Sequence, residues 1–96
     1  MRKSYKHETA PNRIVAMRRS DLSLTQAELA SKLGYPSVNF ISMIEHGRSE
    51  VPIDKISDVA AALEIDAKWF AEQVLRARHS ALADILLGPR SGDIAA

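Results

Sequence analysis

The sequence predicts an all-α protein, folded as a compact bundle of five helices, or of six if the last apolar stretch is broken in two. Its 96 residues make one small domain. Because 46% of the residues are hydrophobic and only 5% are aromatic, we expect a core of Leu, Ile, Val and Ala. Apolar residues recur at spacings of three and four, which is the helical period. Residues that favour helix starts and ends stand at the boundaries of these stretches.

The first helix is predicted from Pro11 or Asn12 to about Ser20, because proline suits the first turn of a helix. Residues 1–10 before it show no apolar period and are expected to form a basic flexible arm. Arg18 stands four residues after the core residue Ile14, so a charged side chain also points inward.

Thr25 begins the next predicted helix, since its hydroxyl can accept a backbone N–H and Glu28 can reach back in a capping box. Leu29 and Leu33 form one apolar stripe on this helix. Gly34 ends it, because a left-handed residue after a helix is least costly for glycine. A turn of two or three residues follows.

A second short helix is predicted to start with Ser37 as its N-cap, after Pro36, and to stop at Gly47. One side of this helix carries Val38, Ile41, Ile44 and Glu45. The other side carries Asn39, Ser42, Met43 and His46. A carboxylate on the apolar side and small polar groups outside are unusual for a core helix. They suit a helix whose outer face lies in a groove.

The motif T-Q-A-E-L-A-x-x-L-G, followed by I-S-x-I-E-x-G-R, resembles the helix-turn-helix of Cro/CI-type (XRE family) regulators of phages and bacteria. The resemblance covers roughly residues 12–70 and implies a lambda-repressor-like DNA-binding domain. This chain has one residue more than the family usually has between Gly34 and Gly47, and the insertion falls at Tyr35–Pro36–Ser37.

The residue patterns and the resemblance together divide the chain into four parts. Residues 1–10 are the basic arm, and residues 11–70 are the helix-turn-helix DNA-binding domain. Residues 71–87 are a C-terminal helical extension expected to mediate dimerisation, and residues 88–96 are a flexible tail. The arm carries Arg2, Lys3 and Lys6, so it suits a phosphate backbone or a minor groove, unless it is simply a disordered start.

For base reading we expect Asn39, Ser42, Met43 and Phe40. Asparagine can bind adenine through N6 and N7, a match worth about 1–3 kcal/mol of discrimination. Serine adapts to several base edges, and methionine packs on a thymine methyl. Phe40 can do the same, or instead pack on Tyr35 at the edge of the domain.

For phosphate contacts we expect Gln26, Ser37, Arg48 and Lys32. In the family, a glutamine at the position of Gln26 tends to contact a phosphate, and a helix N-terminus favours an anion. The alternatives are an ordinary exposed Gln26, a purely structural Ser37 and a solvated Lys32. Residues 1–48 carry a net charge of +4 and residues 49–96 a net charge of −3, which assigns the DNA side to the N-terminal half.

The resemblance also implies a structural ion pair. In the family, an arginine of the first helix pairs with the glutamate of the I-E-x-G segment, which here implies Arg18 with Glu45. Each is a charge on an otherwise apolar face, and such charges are rarely buried unpaired. Arg19 is the rival partner, because the following loop is longer than usual.

The C-terminal half continues the helical pattern. Pro52 begins a fourth helix, whose core stripe is expected to be Ile53, Ile56, Val59, Ala60 and Leu63. Asp54 and Asp58 on its outer face would repel DNA, so that face should point away from the duplex. Asp66 can cap a fifth helix, and the apolar stretch then runs to Leu87 unless it breaks near His79–Ser80.

Leu82, Ile85 and Leu86 are the predicted dimer interface, the alternative being that they fold back on their own core. Operator-binding proteins of this kind are commonly two-fold dimers, which place two helices in successive major grooves about 34 Å apart. The predicted partners are therefore double-stranded DNA with a pseudo-palindromic operator and a second copy of the chain.

Taken together, these features predict a sequence-specific, double-stranded-DNA-binding transcriptional regulator, most simply a dimeric repressor. The alternative is an antitoxin or a prophage or plasmid control protein whose C-terminal helices bind a protein partner. No catalytic residue, cofactor or metal site is predicted, since the chain has no cysteine and no ligand spacing among its three histidines. The absence of a long apolar run and of a secretory h-region predicts a cytoplasmic location without a membrane span.

Overall fold

The computed structural model describes residues 4–89, and every regular element in that range is a helix. Two 3₁₀ helices span Ser4–His7 and Ile53–Lys55. The α-helices are α1 (Pro11–Asp21), α2 (Gln26–Lys32), α3 (Asn39–Glu45), α4 (Ile56–Ala62), α5 (Ala67–Arg78) and α6 (Ser80–Leu87). The prediction of a helical bundle is confirmed in its six-helix form, because a single residue, His79, interrupts the last stretch. No helix within residues 4–89 is long and apolar enough to cross a bilayer.

The local signals at α2 act as expected. The Thr25 hydroxyl accepts the Glu28 N–H at 3.0 Å, and the Glu28 carboxylate accepts the Thr25 N–H at 2.8 Å, which completes the capping box. The second bond holds the pKa of Glu28 below its ordinary value. At the other end, Gly34 has a φ of +79°, the left-handed conformation that ends a helix.

The core lies where α1 crosses the other helices. α1 packs on α3 and α5, α2 packs on α3, and α4 packs on α5. The most deeply buried large side chains are Phe70, Ile14, Leu29, Ile41, Leu63 and Val15. This arrangement buries the apolar edge of α3 against α1 and α2 and leaves its opposite edge outside.

Ile53 was wrongly assigned to the core stripe of the fourth helix, since 68% of its surface is exposed. The reason is a change of period. Ile53 lies in a 3₁₀ turn, and α4 begins only at Ile56. A 3₁₀ turn advances about 120° per residue instead of 100°, so the stripe extrapolated back from Val59 does not reach Ile53.

Part of the predicted N-terminal arm is also corrected. Tyr5 is buried, with its ring edge-on to Trp69 at 5.6 Å and the Arg18 guanidinium 4.9 Å above it. Glu8 binds Arg13 at 2.7 Å. Tyr5 is therefore packed against α1 and α5, and Glu8 is bonded to α1, whereas Lys6, His7 and Thr9 are exposed. Arg2, Lys3 and residues 90–96 of the predicted tail lie outside the described residues.

Glu45 is bound by Arg19 and not by Arg18, so the expected ion pair is corrected to its rival. The Arg19 Nε and Nη2 atoms donate to the two carboxylate oxygens of Glu45 at 2.6 and 3.1 Å. Arg18 points to another side of α1 and donates to the carbonyl oxygens of Leu63 and Glu64 at 2.9 and 3.3 Å. Carbonyls at the end of a helix, as here in α4, need donors from elsewhere, and Arg18 supplies them.

A double-mutant cycle in urea unfolding tests this pairing. We expect Arg19→Met and Glu45→Gln to show a coupling free energy within the range of about 0.5–3 kcal/mol found for contacting residues. The matched cycle of Arg18→Met with Glu45→Gln should be additive, because Arg18 is occupied by the α4 carbonyls. Equal coupling in the two cycles would contradict the assignment.

Candidate DNA-binding surface

The turn before α3 places the start of that helix one residue later than the sequence predicted. Residues 36–38 form bends, Val38 occupies the N-cap position, and α3 begins at Asn39. Ser37 is therefore not the N-cap, although its hydroxyl accepts the Asn39 N–H at a long 3.4 Å.

The outer edge of α3 carries small, uncharged side chains. Asn39 is exposed at the first turn, and 41% of the surface of Met43 is exposed one turn later. Ser42 lies between them and is half-buried, with its hydroxyl 3.4 Å from Nδ1 of His46. The opposite edge is buried through Ile41 and Ile44. α3 is thus amphipathic, and three of the four predicted base-reading residues share its accessible side.

Phe40, the fourth predicted base reader, takes the packing alternative. Its ring stands edge-on to Tyr35 with 5.0 Å between centroids, and it packs against the core from a half-buried position. This aromatic pair closes the apolar edge of the domain beside the turn. Phe40 thus supports the N-terminal end of α3, while its contact with a base stays a prediction.

A three-residue network fixes the angle between α2 and α3. Glu45, at the end of α3, accepts from Arg19 of α1 and from the Gln26 amide of α2 at 3.0 Å. An amide NH₂ carries two hydrogens, so this contact uses one of them and the other can still donate to a phosphate. Gln26 is thus both a structural contact and a candidate phosphate ligand at the first position of α2.

Arg48 lies beyond the C-terminal end of α3 and is exposed. Gly47 allows the chain to turn there with a φ of +73°, and a side chain at this position would be strained. The Arg48 N–H then donates to the Met43 carbonyl at 2.8 Å, which holds the segment against the helix. The backbone of Arg48 is consequently held close to the C-terminal end of α3, and its side chain is exposed there.

Lys55 is a candidate that the sequence analysis missed. Its ammonium lies 5.9 Å from the centre of the Tyr35 ring, at the end of α3 opposite to Arg48. A cation over an aromatic face is attracted by the ring quadrupole, which orients this long side chain. The sequence contains no signal for the contact, since 20 residues separate Lys55 from Tyr35.

Lys32 is placed less favourably than expected. It lies on the exposed side of α2 beside α4, where it borders the same shallow depression as Asp58. A carboxylate so close to the site would oppose a phosphate. We do not carry Lys32 forward as a phosphate ligand.

The resulting surface has a simple charge pattern. α3 has no basic residue in its last turn, and its outer edge is uncharged, whereas Arg48 and Lys55 stand near its two ends. Seven residues of helix span about 10 Å at 1.5 Å per residue. Two cations that flank a short neutral edge match a duplex, in which phosphates border the bases of a groove. Within residues 4–89, no three His, Cys, Asp or Glu side chains are grouped as metal ligands.

A second surface lies on α6. Ala83 is fully buried where α6 packs on α5, whereas Leu82, Ile85 and Leu86 are all exposed. At 100° per residue, these three residues occupy an arc of about 100° on the outer side. The alternative that they fold back on their own core is therefore wrong, while their role in dimerisation stays a prediction.

One comparison with known proteins agrees with this architecture. A family model described as Helix-turn-helix matches residues 14–70, more than half of the chain, and so includes α2, the turn and α3. No curated protein and no solved structure matches the chain. The family match and the helix-turn-helix geometry show that the chain belongs to the helix-turn-helix family of Cro/CI-type (XRE) DNA-binding transcriptional regulators.

Proposed function

We propose that this protein is a dimeric repressor that inserts α3 into the major groove of a pseudo-palindromic operator. The observation that carries the proposal is the amphipathic setting of α3, in which the apolar edge is buried by α1 and α2 and Asn39 is exposed. A helix fits the width of the major groove, where each base pair presents a distinct pattern of donors and acceptors. Repression follows most simply from occlusion of a promoter by the bound dimer.

Base reading is assigned to Asn39, Ser42 and Met43. Asn39 offers a bidentate amide for adenine, and Met43 offers an apolar tip for a thymine methyl. Ser42 has a hydroxyl that can donate or accept, although its proximity to His46 restricts its rotation. These contacts supply sequence discrimination and little attraction, since none of them is charged.

Phosphate binding is assigned to Arg48, Gln26, Ser37 and Lys55. Arg48 and Lys55 are the charged members, and they flank the two ends of α3. Ser37 is exposed in the turn, and Gln26 lies at the start of α2. Contacts to phosphates fix the register of a protein on the duplex and provide most of the salt-dependent affinity.

Dimerisation is assigned to the outer side of α6. Leu82, Ile85 and Leu86 leave an apolar arc in water, which is unfavourable for a monomer and typical of an interaction site. A two-fold axis along this arc would join two copies through the same surface, as an isologous interface requires. The same arc is the feature that a protein partner would use if the chain were an antitoxin or a prophage or plasmid control protein.

Replacement of Asn39 by alanine tests the base-reading assignment. We expect the loss of its bidentate contact to cost about 1–3 kcal/mol on the selected operator and to relax preference at one base position. The measurement is selection of bound sites from random duplexes, followed by titration of wild-type and variant protein. Ser57→Ala, an exposed polar change on α4, is the control. An unchanged operator affinity for Asn39→Ala would show that α3 docks in another register.

Replacement of Arg48 by alanine tests the phosphate assignment. The variant should bind specific and random sequences more weakly by a similar factor, because a phosphate contact carries no sequence information. The slope of log affinity against log salt should fall by about one. Lys68→Ala, which removes an exposed cation from the first turn of α5, should leave the slope unchanged. Loss of affinity confined to the operator would instead assign Arg48 to a base.

Replacement of Ile85 by glutamate tests the dimer interface. Since 79% of Ile85 is exposed, the stability of the monomer should change by no more than about 0.5 kcal/mol, whereas self-association should weaken strongly. Sedimentation equilibrium measures the effect, with Ile53→Glu as the control at another exposed isoleucine, 68% accessible and outside α6. A wild-type chain that is monomeric, yet forms a defined complex with a second protein in cell extract, would favour the alternative function.

A further inference from the structure

Arg78 joins the last turn of α5 to the segment that follows α3. It is the final residue of α5, directly before the single residue that separates α5 from α6. Its guanidinium donates to the Val51 carbonyl at 2.8 Å and to the Glu50 carboxylate at 2.7 Å. The side chain is largely buried although Glu50 is exposed, and the contact holds the pKa of Glu50 below its ordinary value.

The region that Arg78 spans borders an open pocket. A cavity of about 160 Å³ lies between the C-terminal end of α3 and the C-terminal half of α5. Ile44 and Gly47 line it from the side of α3, and Val74 and Ala77 line it from the side of α5. Next to this pocket, the two bonds of Arg78 form a direct polar link between α5 and the segment that follows α3.

This connection links the two surfaces described above, which are the outer edge of α3 and the exposed apolar side of α6. The segment held by Arg78 begins at the end of α3 and contains Arg48, whose N–H is tied to Met43. On the other side, α6 is fixed to α5 through buried Ala83 and through Arg76, which lies 3.7 Å from Asp84. Arg78 therefore lies between α6, which carries the proposed dimer interface, and α3, which carries the proposed base-reading residues.

We propose that Arg78 is a positioning residue that transmits the geometry of α6 pairing to α3 and so sets the half-site spacing of the operator. This inference rests on the proposed dimeric DNA-binding function. In a two-fold dimer, the separation of the two α3 helices must match the repeat of the major groove, about 34 Å. Slack between α5 and the end of α3 would let that separation vary. A planar guanidinium with two bonds in different directions restricts both distance and rotation.

The experiment compares wild-type protein, Arg78→Met and Glu50→Gln on three sets of duplexes. These are the selected operator, the same operator with one base pair added or removed between half-sites, and an isolated half-site. Sedimentation equilibrium without DNA reports pairing, and thermal unfolding reports folding. Lys68→Met is the matched control, since it removes a cation from the same helix without touching residues 48–51.

For Arg78→Met we expect the preference for native over altered spacing to fall on the order of tenfold, which is within the range of couplings between sites. Half-site affinity and self-association should be unchanged. Glu50→Gln, which keeps the bond to the Val51 carbonyl, should lose part of the preference. If Arg78→Met unfolds, the exposed Glu50→Gln change decides the question.

Two results would overturn the inference. A variant that keeps the wild-type spacing preference would show that packing alone sets the separation. An equal loss on the half-site and on the full operator would show that Arg78 acts within one monomer, through Arg48. Failure of the proposed function is visible separately, because wild-type protein would then show no pairing or no operator preference before any variant is compared.

Discussion

The Glu45 carboxylate organises the DNA-binding part of the molecule. Only 6% of this side chain is exposed, and an ionised carboxylate in such a position is costly unless charge and hydrogen bonds compensate it. Arg19 of α1 and Gln26 of α2 supply that compensation, so three helices converge on one group at the end of α3. Because the bonds have different directions, α3 can neither rotate nor slide without breaking at least one of them. The same constraint that stabilises the bundle therefore determines which edge of α3 stays outside.

The fixed orientation of α3 separates affinity from specificity. The outer edge exposes Asn39 and Met43 and carries no charge, whereas the cations stand at the ends of the helix. In the proposed complex, phosphates would be bound by groups that do not distinguish sequences, and the bases would be read by groups that contribute little attraction. A short, neutral reading helix therefore depends on accurate placement, and each element that restricts its motion serves recognition.

Features that depend on neighbouring residues were predictable from the sequence, and features that depend on the path of the chain were not. The capping box of Thr25 and Glu28 needs only a spacing of three, and it is present. The choice between Arg18 and Arg19 depends on how α1 is rotated about its axis against α3, since consecutive residues point about 100° apart on a helix. Lys55 reaches Tyr35 through tertiary structure, and the 3₁₀ turn at Ile53 alters a period that sequence reasoning had extended unchanged.

The same physical reasoning explains what the proposed dimer interface on α6 would contribute to recognition. Each base contact of the proposed kind is worth about 1–3 kcal/mol of discrimination, and one α3 helix offers only a few of them. Two rigidly joined copies combine their discrimination on one operator, because the second helix binds at the high effective concentration set by the first. That gain is lost if the connection between the copies is slack. In the proposed dimer, the bonds from Arg78 to Glu50 and Val51 would lie on this connection, just as those of Glu45 lie on the connection between α2 and α3. A small domain can thus obtain specificity from the stiffness of its frame as well as from the side chains in the groove.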